Sequence, residues 1–333
     1  GSEENQAKLR HVWGLLNRPW LVADTDAGAE AIDGLTTERI LDWNGLHTAL
    51  VSGDMQAAEE LPWQASAEDI AFLQFSSGST GEPKGVVLTH ANLLANMEAI
   101  VTCSATTEND SSLSWMPLTH DMGLIGFHLA PMFAGMDQYL MQPAQFMLDP
   151  MLWLAKASEH RITSIASPNF GYKHFLSCFK PAEAEGWNLG CVRLIFNGAE
   201  PISAEWAERF VRELAPYGLD PAAMFPVYGM AEATLAVTFP PPDERLIPVS
   251  LEAGNLGIGQ SPRIAGEGDE RAVVFVDVGS PVAGCEVRIV GDSDEELPEG
   301  EIGHIVIRGA SVTRGYYNNP EASEKAHTSD GWL

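Results

Sequence analysis

The stretch Phe75-Ser76-Ser77-Gly78-Ser79-Thr80-Gly81-Glu82-Pro83-Lys84-Gly85-Val86-Val87-Leu88 decides how the rest of the chain is read. An apolar run over residues 71–75 leads in and reads as a buried strand, and residues 86–88 lead out as a second one. Between them, hydroxyls and small residues let the backbone approach a ligand closely and turn main-chain N–H groups into one hollow, the geometry that binds phosphate. Lys84 adds a mobile point charge able to follow phosphoryl oxygens. This is not the GxxxxGK[ST] loop, because Gly85 and not a hydroxyl residue follows Lys84. The competing reading is a surface hairpin loop rich in Gly and Ser.

Working outward, 333 residues with 45% hydrophobic content make a globular chain that can bury a large core and would usually divide into two domains or subdomains. Nineteen basic against 46 acidic residues leave a net charge of −27, which argues against nucleic acid or an anionic membrane as partner. Cys103, Cys178, Cys191 and Cys285 show no metal-ligand spacing and read as core thiols of a reducing, cytoplasmic protein. The most apolar stretch, residues 123–136, is broken by His128, Pro131 and Gly135 and is too short to cross a bilayer of about 30 Å. Gly1-Ser2 reads as an expression scar.

Residues 3–62 carry helical and strand fragments without a sharp chemical signal; Trp20-Leu21-Val22-Ala23-Asp24 could be a short strand. After the loop, Thr89 is positioned to cap a helix that begins with His90 and puts Leu93, Leu94, Met97, Ile100 and Val101 on its core face. His120-Asp121 followed by Gly123 and Gly126 suggests either a backbone passing close to a ligand or a helix start capped by Asp121. Over residues 148–225 strand and helix alternate, which predicts a parallel sheet covered by helices. Three marked segments fall beyond the predicted strand ends, where such sheets bind ligands: residues 167–172, 197–201 and 228–234. From Pro240 the texture changes to a long irregular stretch. Half-buried strands follow near Val273, from Cys285 and up to Ile307, which predict a smaller β-rich subdomain.

Ser76 through Gly85 resembles the phosphate-loop signature of the adenylate-forming superfamily, which includes acyl-CoA synthetases, peptide-synthetase adenylation domains and luciferases. His120-Asp121-Met122-Gly123-Leu124-Ile125-Gly126 and Ser167-Pro168-Asn169-Phe170-Gly171-Tyr172 resemble the fatty acyl-AMP ligase branch, where amino-acid-activating relatives usually carry a Phe-Asp-type motif. The resemblance implies the large domain of such a ligase, an α/β fold of mostly parallel sheets with a β-rich subdomain. It implies ATP and Mg2+, a fatty acid substrate, and the phosphopantetheine arm of an acyl carrier protein as acceptor.

In that frame Ser76, Ser77, Gly78, Ser79, Thr80, Gly81 and Lys84 cradle the phosphates, and Asn197, Gly198, Ala199 and Glu200 edge the adenine. Tyr228, Gly229 and Met230 complete the nucleotide site, with Tyr228 stacking on the base. Glu232 holds the magnesium with help from Thr80, so Thr80, Lys84 and Glu232 are the expected catalytic residues. His120, Asp121, Asn169, Phe170, Gly171 and Tyr172 face the acyl end.

The resemblance divides the chain into an N-terminal edge (1–70), an α/β core (71–239) and an insertion with the β-rich part (240–333). The end, Ser329-Asp330-Gly331-Trp332-Leu333, resembles the approach to a ribose-binding motif. The expectation is therefore a large-domain piece that binds ATP and acyl-adenylate but turns over poorly without the mobile domain. An acyl- or aryl-CoA ligase and a non-catalytic acyl-adenylate-binding domain are the alternatives.

Overall fold

The computed structural model of the protein describes residues 3–23, 40–52, 64–76, 82–266 and 268–333. Helix α1 (Glu3–Leu15) is followed by a short parallel pair, β1 (Leu21–Ala23) with β2 (Ile40–Asp42), and by helix α2 (Trp43–Ser52).

Strands β3 (Ile70–Ser76) and β4 (Lys84–Thr89) pair antiparallel, so the opening stretch is a hairpin whose arms match the two predicted strands. The arms differ in depth. Val86, Val87 and Leu88 are buried, whereas most of β3 is only half-buried and its buried member is the polar Gln74. Gln74 is held by donating to the Thr119 carbonyl at 3.1 Å, which ties the hairpin to the turn before His120.

Helix α3 (His90–Cys103) starts where expected. The Thr89 hydroxyl accepts from Asn92 N at 3.2 Å and Asn92 Oδ1 accepts from Thr89 N at 3.1 Å, a reciprocal cap. Its inner face is Leu93, Asn96, Met97 and Ile100. Leu94 departs from the expected face and is 51% exposed, because the stripe follows 93, 96/97 and 100 and leaves its neighbour outside.

The centre is a five-stranded, all-parallel sheet. Strand β5 (Ser111–Ser114) leads through a π-helical stretch (Met122–Leu129) and helix α4 (Ala130–Ala134) to β6 (Asp137–Leu140). Helices α5 (Pro143–Leu148) and α6 (Met151–Glu159) precede β7 (Ser164–Ser167); α7 (Asn169–Cys178) precedes β8 (Leu194–Asn197); α8 (Ala204–Leu214) precedes β9 (Met224–Pro226). The order across the sheet is β6-β5-β7-β8-β9. β7 and β8 are buried throughout, as strands covered on both faces must be. Residues 112–114 of β5, Ser-Leu-Ser, are buried too, although two of the three are hydroxyl residues.

Beyond the sheet the chain turns antiparallel. β10 (Tyr228–Gly229), β11 (Ala236–Phe239) and β14 (Ser280–Pro281) form one small sheet, while β12 (Pro248–Leu251) with β13 (Val273–Val276) and β15 (Cys285–Val290) with β16 (His304–Gly309) form two ribbons before helix α9 (Pro320–Ala326). Asn96 of α3 joins the two regions, since its side chain donates to Ala236 O at 3.0 Å and accepts from Ala236 N at 2.9 Å. A buried amide satisfied at both ends in this way fixes the helix against the edge of β11. Of the four cysteines, only Cys285 is buried; Cys103, Cys178 and Cys191 are half-buried, so the expectation of core thiols holds for one. Among the described residues no helix is long and apolar enough to cross a membrane.

Candidate active site

The parallel strands deliver their C-terminal ends to one edge, and the marked segments follow β5, β7, β8 and β9 there. A cavity of about 170 Å³ opens at this edge, lined by His120, Asp121, Ala199, Tyr228 and Gly229 at its polar rim. Phe127, Phe196 and Leu235 form its apolar depth.

His120 and Asp121 sit between a turn and the π-helical stretch. Asp121 Oδ1 accepts from Met122 N at 2.7 Å and lies 2.8 Å from His120 Nδ1, so the pair is a capped helix start, and it borders the cavity. Hydrogen bonding to the Asp121 carboxylate lifts the His120 pKa above its ordinary value against the opposing effect of burial. Gly123 is required by close approach, because a Cβ there would stand 2.2 Å from the Pro117 carbonyl oxygen. Helices with i to i+5 bonding are rare and concentrate at functional sites.

On the opposite rim, β10 carries Tyr228, half-buried, with its hydroxyl pKa raised by burial and by the charge of Glu232. Gly229 lets this strand lie against Leu235, whose carbonyl oxygen would be 2.1 Å from an added Cβ. Thr234 has φ 73 and ψ −58, an unusual conformation for a β-branched residue. Its hydroxyl donates to Ser311 O at 2.6 Å, and such strained positions cost about 1–3 kcal/mol unless the surroundings hold them.

Glu232 is partnered by a residue that the motif reading did not single out. Tyr316 donates its hydroxyl to Glu232 Oε1 at 2.9 Å, and the Lys84 ammonium lies 5.1 Å from the centre of the Tyr316 ring. Burial, together with the neighbouring Glu232 charge, pushes the Tyr316 pKa far up, so the phenol keeps its proton as a donor. The segment around it is bonded to the hairpin: Thr313 Oγ1 donates to Val87 O at 2.6 Å, Val87 N to Gly315 O at 3.1 Å and Tyr317 N to Gly85 O at 2.8 Å. The only signal available in the sequence was Gly315-Tyr316-Tyr317, an aromatic pair after a glycine.

The other expected site residues divide. Ser76 and Lys84 close the two arms of the hairpin, while Ser77, Gly78, Ser79, Thr80 and Gly81 lie outside the described residues. Asn169 and Glu200 bond one another's segments: Asn169 Nδ2 donates to Pro201 O, Asn169 Oδ1 accepts from Ser203 N at 3.0 Å, and Glu200 Oε1 accepts from Phe170 N at 3.1 Å. Asn197 is buried and its Nδ2 faces Met224 Sδ, and an added Cβ on Gly198 would stand 2.9 Å from Val227 O. Phe170 packs edge-on to Trp115 at 5.4 Å, and Gly171 has no room for a Cβ against Ser167. Tyr172 is 0% exposed, packed against Phe210 and Trp153 in the core and away from the cavity. Met230 N donates to Leu235 O at 2.8 Å, which holds the loop that presents Glu232.

No group of three or more His, Cys, Asp or Glu side chains that could hold a metal occurs among the described residues. A lone carboxylate with one oxygen committed to Tyr316 suits Mg2+, which takes one or two protein carboxylates and completes its shell with water and phosphate oxygens.

Comparison with known proteins adds three findings. The AMP-binding enzyme family matches residues 23–317. The medium-chain-fatty-acid acyl-carrier-protein ligase TtuA of Teredinibacter turnerae is 34% identical over 302 residues, 90% of this chain and 46% of that protein, and the long-chain-fatty-acid AMP ligase FadD32 of Mycolicibacterium smegmatis is 34% identical over 82% of this chain and 44% of its own. The chain thus spans about half the length of these curated relatives. Among solved structures, the fatty acyl-adenylate ligase of Legionella pneumophila in complex with acyl adenylate and pyrophosphate superposes with a TM-score of 0.87 at 29% identity, covering 98% of this chain and 57% of that one.

Proposed function

This chain belongs to the AMP-binding enzyme family, and from that premise we propose that it forms the adenylate-binding part of a fatty acyl-AMP ligase. In the proposed reaction a fatty acid carboxylate oxygen bonds to the α-phosphorus of ATP, the bond from that phosphorus to the bridging oxygen breaks, and pyrophosphate leaves. The acyl group then passes from the adenylate to the phosphopantetheine thiol of an acyl carrier protein. One observation carries the reading: a single cavity is lined by Tyr228, Gly229 and Ala199, by His120 and Asp121, and by the apolar Phe127, Phe196 and Leu235.

Each residue has a job under this reading. Tyr228 offers a ring face to the base, and Lys84 with the loop N–H groups meets the phosphates. Glu232, oriented by Tyr316, and Thr80 would hold Mg2+. When bound, that ion supplies charge compensation where two anions must approach. His120, whose pKa hydrogen bonding to the Asp121 carboxylate raises, lines the cavity on the side assigned to the acyl end.

The test uses the full-length protein with ATP, Mg2+, a mixed fatty-acid pool and either holo acyl carrier protein or coenzyme A. Intact-mass analysis is expected to find acyl groups on the carrier. A coenzyme A thioester in its place would reassign the acceptor, and loss of neither ATP nor fatty acid would overturn the activity.

A further inference from the structure

Behind the cavity lies a second, smaller one of about 20 Å³, and the two share Ile100, Gly126, Phe127 and Phe196 as a common wall. Phe127 and Phe196 meet edge to face with ring centres 5.5 Å apart, so an aromatic pair stands in the wall between the two cavities. Gly126 belongs to the same wall, where a Cβ would reach Leu235 Cδ2 of the first cavity at 3.0 Å.

The small cavity is lined mostly by apolar residues, with two serines among them. Ser112 of β5 and Ser164 of β7 are register partners in the parallel sheet, so their side chains project from the same face, and both line it. They are 1% and 3% exposed. Neither hydroxyl has a hydrogen-bond partner among the described residues. Gln138, the partner of Ser112 on the outer strand β6, is by contrast engaged by His128 at 2.7 Å. Two adjacent, buried, unpartnered hydroxyls lining a cavity are costly unless something meets them, and each can donate and accept.

Resting on the ligase reading above, we propose that Ser112 and Ser164 form a polar floor that selects an acyl chain bearing a hydroxyl or oxo oxygen far from its carboxyl group. Ser164 pairs with Leu194, three residues before Asn197 on β8. That places Ser164 about 10 Å along the strands below the level of the expected adenine-edge residue. The two possible floors give opposite preferences. An apolar floor penalises a hydroxylated chain for the water its hydroxyl gives up, while a floor of unpaired hydroxyls penalises the plain chain for leaving them unpaired.

The experiment titrates the protein with two non-hydrolysable sulfamoyl-adenosine analogues of matched length, one carrying an ω-hydroxydecanoyl group and the other undecanoyl. The hydroxylated analogue is expected to bind about 10- to 100-fold more tightly, and the Ser112→Ala/Ser164→Ala variant to lose or reverse that preference while binding undecanoyl at least as well. Thermal melting of the ligand-free variant is expected to stay level or rise, since each change removes an unpartnered hydroxyl, so a lost preference would not reflect a damaged fold. Equal binding of the two analogues, or tighter binding of undecanoyl, overturns the polar floor and leaves the ligase reading standing. Failure of both analogues to bind overturns this proposal together with that reading.

Discussion

The rim of the main cavity and the serines of the smaller one behind its wall were built from different kinds of sequence. At the rim, residues that touch the cavity sit in segments with marked composition: His120-Asp121 before two glycines, and Tyr228-Gly229-Met230-Ala231-Glu232 after a strand. At the floor, Ser112 and Ser164 sit inside strands, and nothing beside them announces a site. A loop must declare its geometry through Gly, Pro and capping residues, because its backbone conformation depends on them. A buried strand residue inherits its geometry from the sheet, so a functional hydroxyl there looks like any small residue.

The largest effect should come from the rim. Glu232→Gln keeps the shape and removes the charge, and is expected to lower fatty acid-dependent ATP–pyrophosphate exchange by the full-length protein about 10²–10³-fold. Unchanged exchange would detach Glu232 from the chemistry and weaken the contrast at its strongest point.

A cut between the two regions comes next. Gly126→Val would add bulk to the wall that both cavities share. Calorimetry is expected to find long acyl-adenylate analogues weakened about 10- to 100-fold with AMP unaffected, as for added bulk in a fitted apolar pocket. Equal losses for both ligands would mean that this wall does not separate acyl from nucleotide.

Tyr316→Phe tests whether the rim extends into the segment that the motifs missed. Losing the hydroxyl leaves Glu232 less firmly oriented, and Mg2+ dependence in the same exchange assay should shift by about tenfold, the scale of lost support behind a metal ligand. The smallest effect concerns pH. Since Asp121 raises the His120 pKa, the imidazolium and any attraction it adds are fully present below the ordinary histidine range and fade as pH rises through the raised value. Affinity for an acyl-adenylate analogue should therefore fall a few-fold across that window, and His120→Asn should flatten the profile; a variant that keeps the slope would assign it to another group.

How much was legible follows the same division. The alternating pattern over residues 148–225 disclosed β7, β8, β9 and the helices between them, because buried parallel strands are continuous apolar runs. It did not disclose β5, whose Ser-Ser-Leu-Ser is too polar to read as a central strand. Glu232 was proposed from its motif, yet its partner Tyr316 lies 84 positions away and only the fold brings it there. Asn169 and Tyr172 were chosen for lying in a marked segment, but Asn169 is spent on tying loops together and Tyr172 faces the core; sequence adjacency does not say which side of a helix faces a ligand. Leu94 was misplaced for the same reason.

The central claim is that one cavity takes a nucleotide at its rim and an acyl chain in its depth. Calorimetry of this chain with AMP, with a fatty acid, and with the two joined as a non-hydrolysable acyl-adenylate analogue tests it most directly. The joined ligand is predicted to bind at least about 10²-fold more tightly than either part, because the second contact becomes intramolecular. Affinity no greater than that of the better part alone would contradict the account.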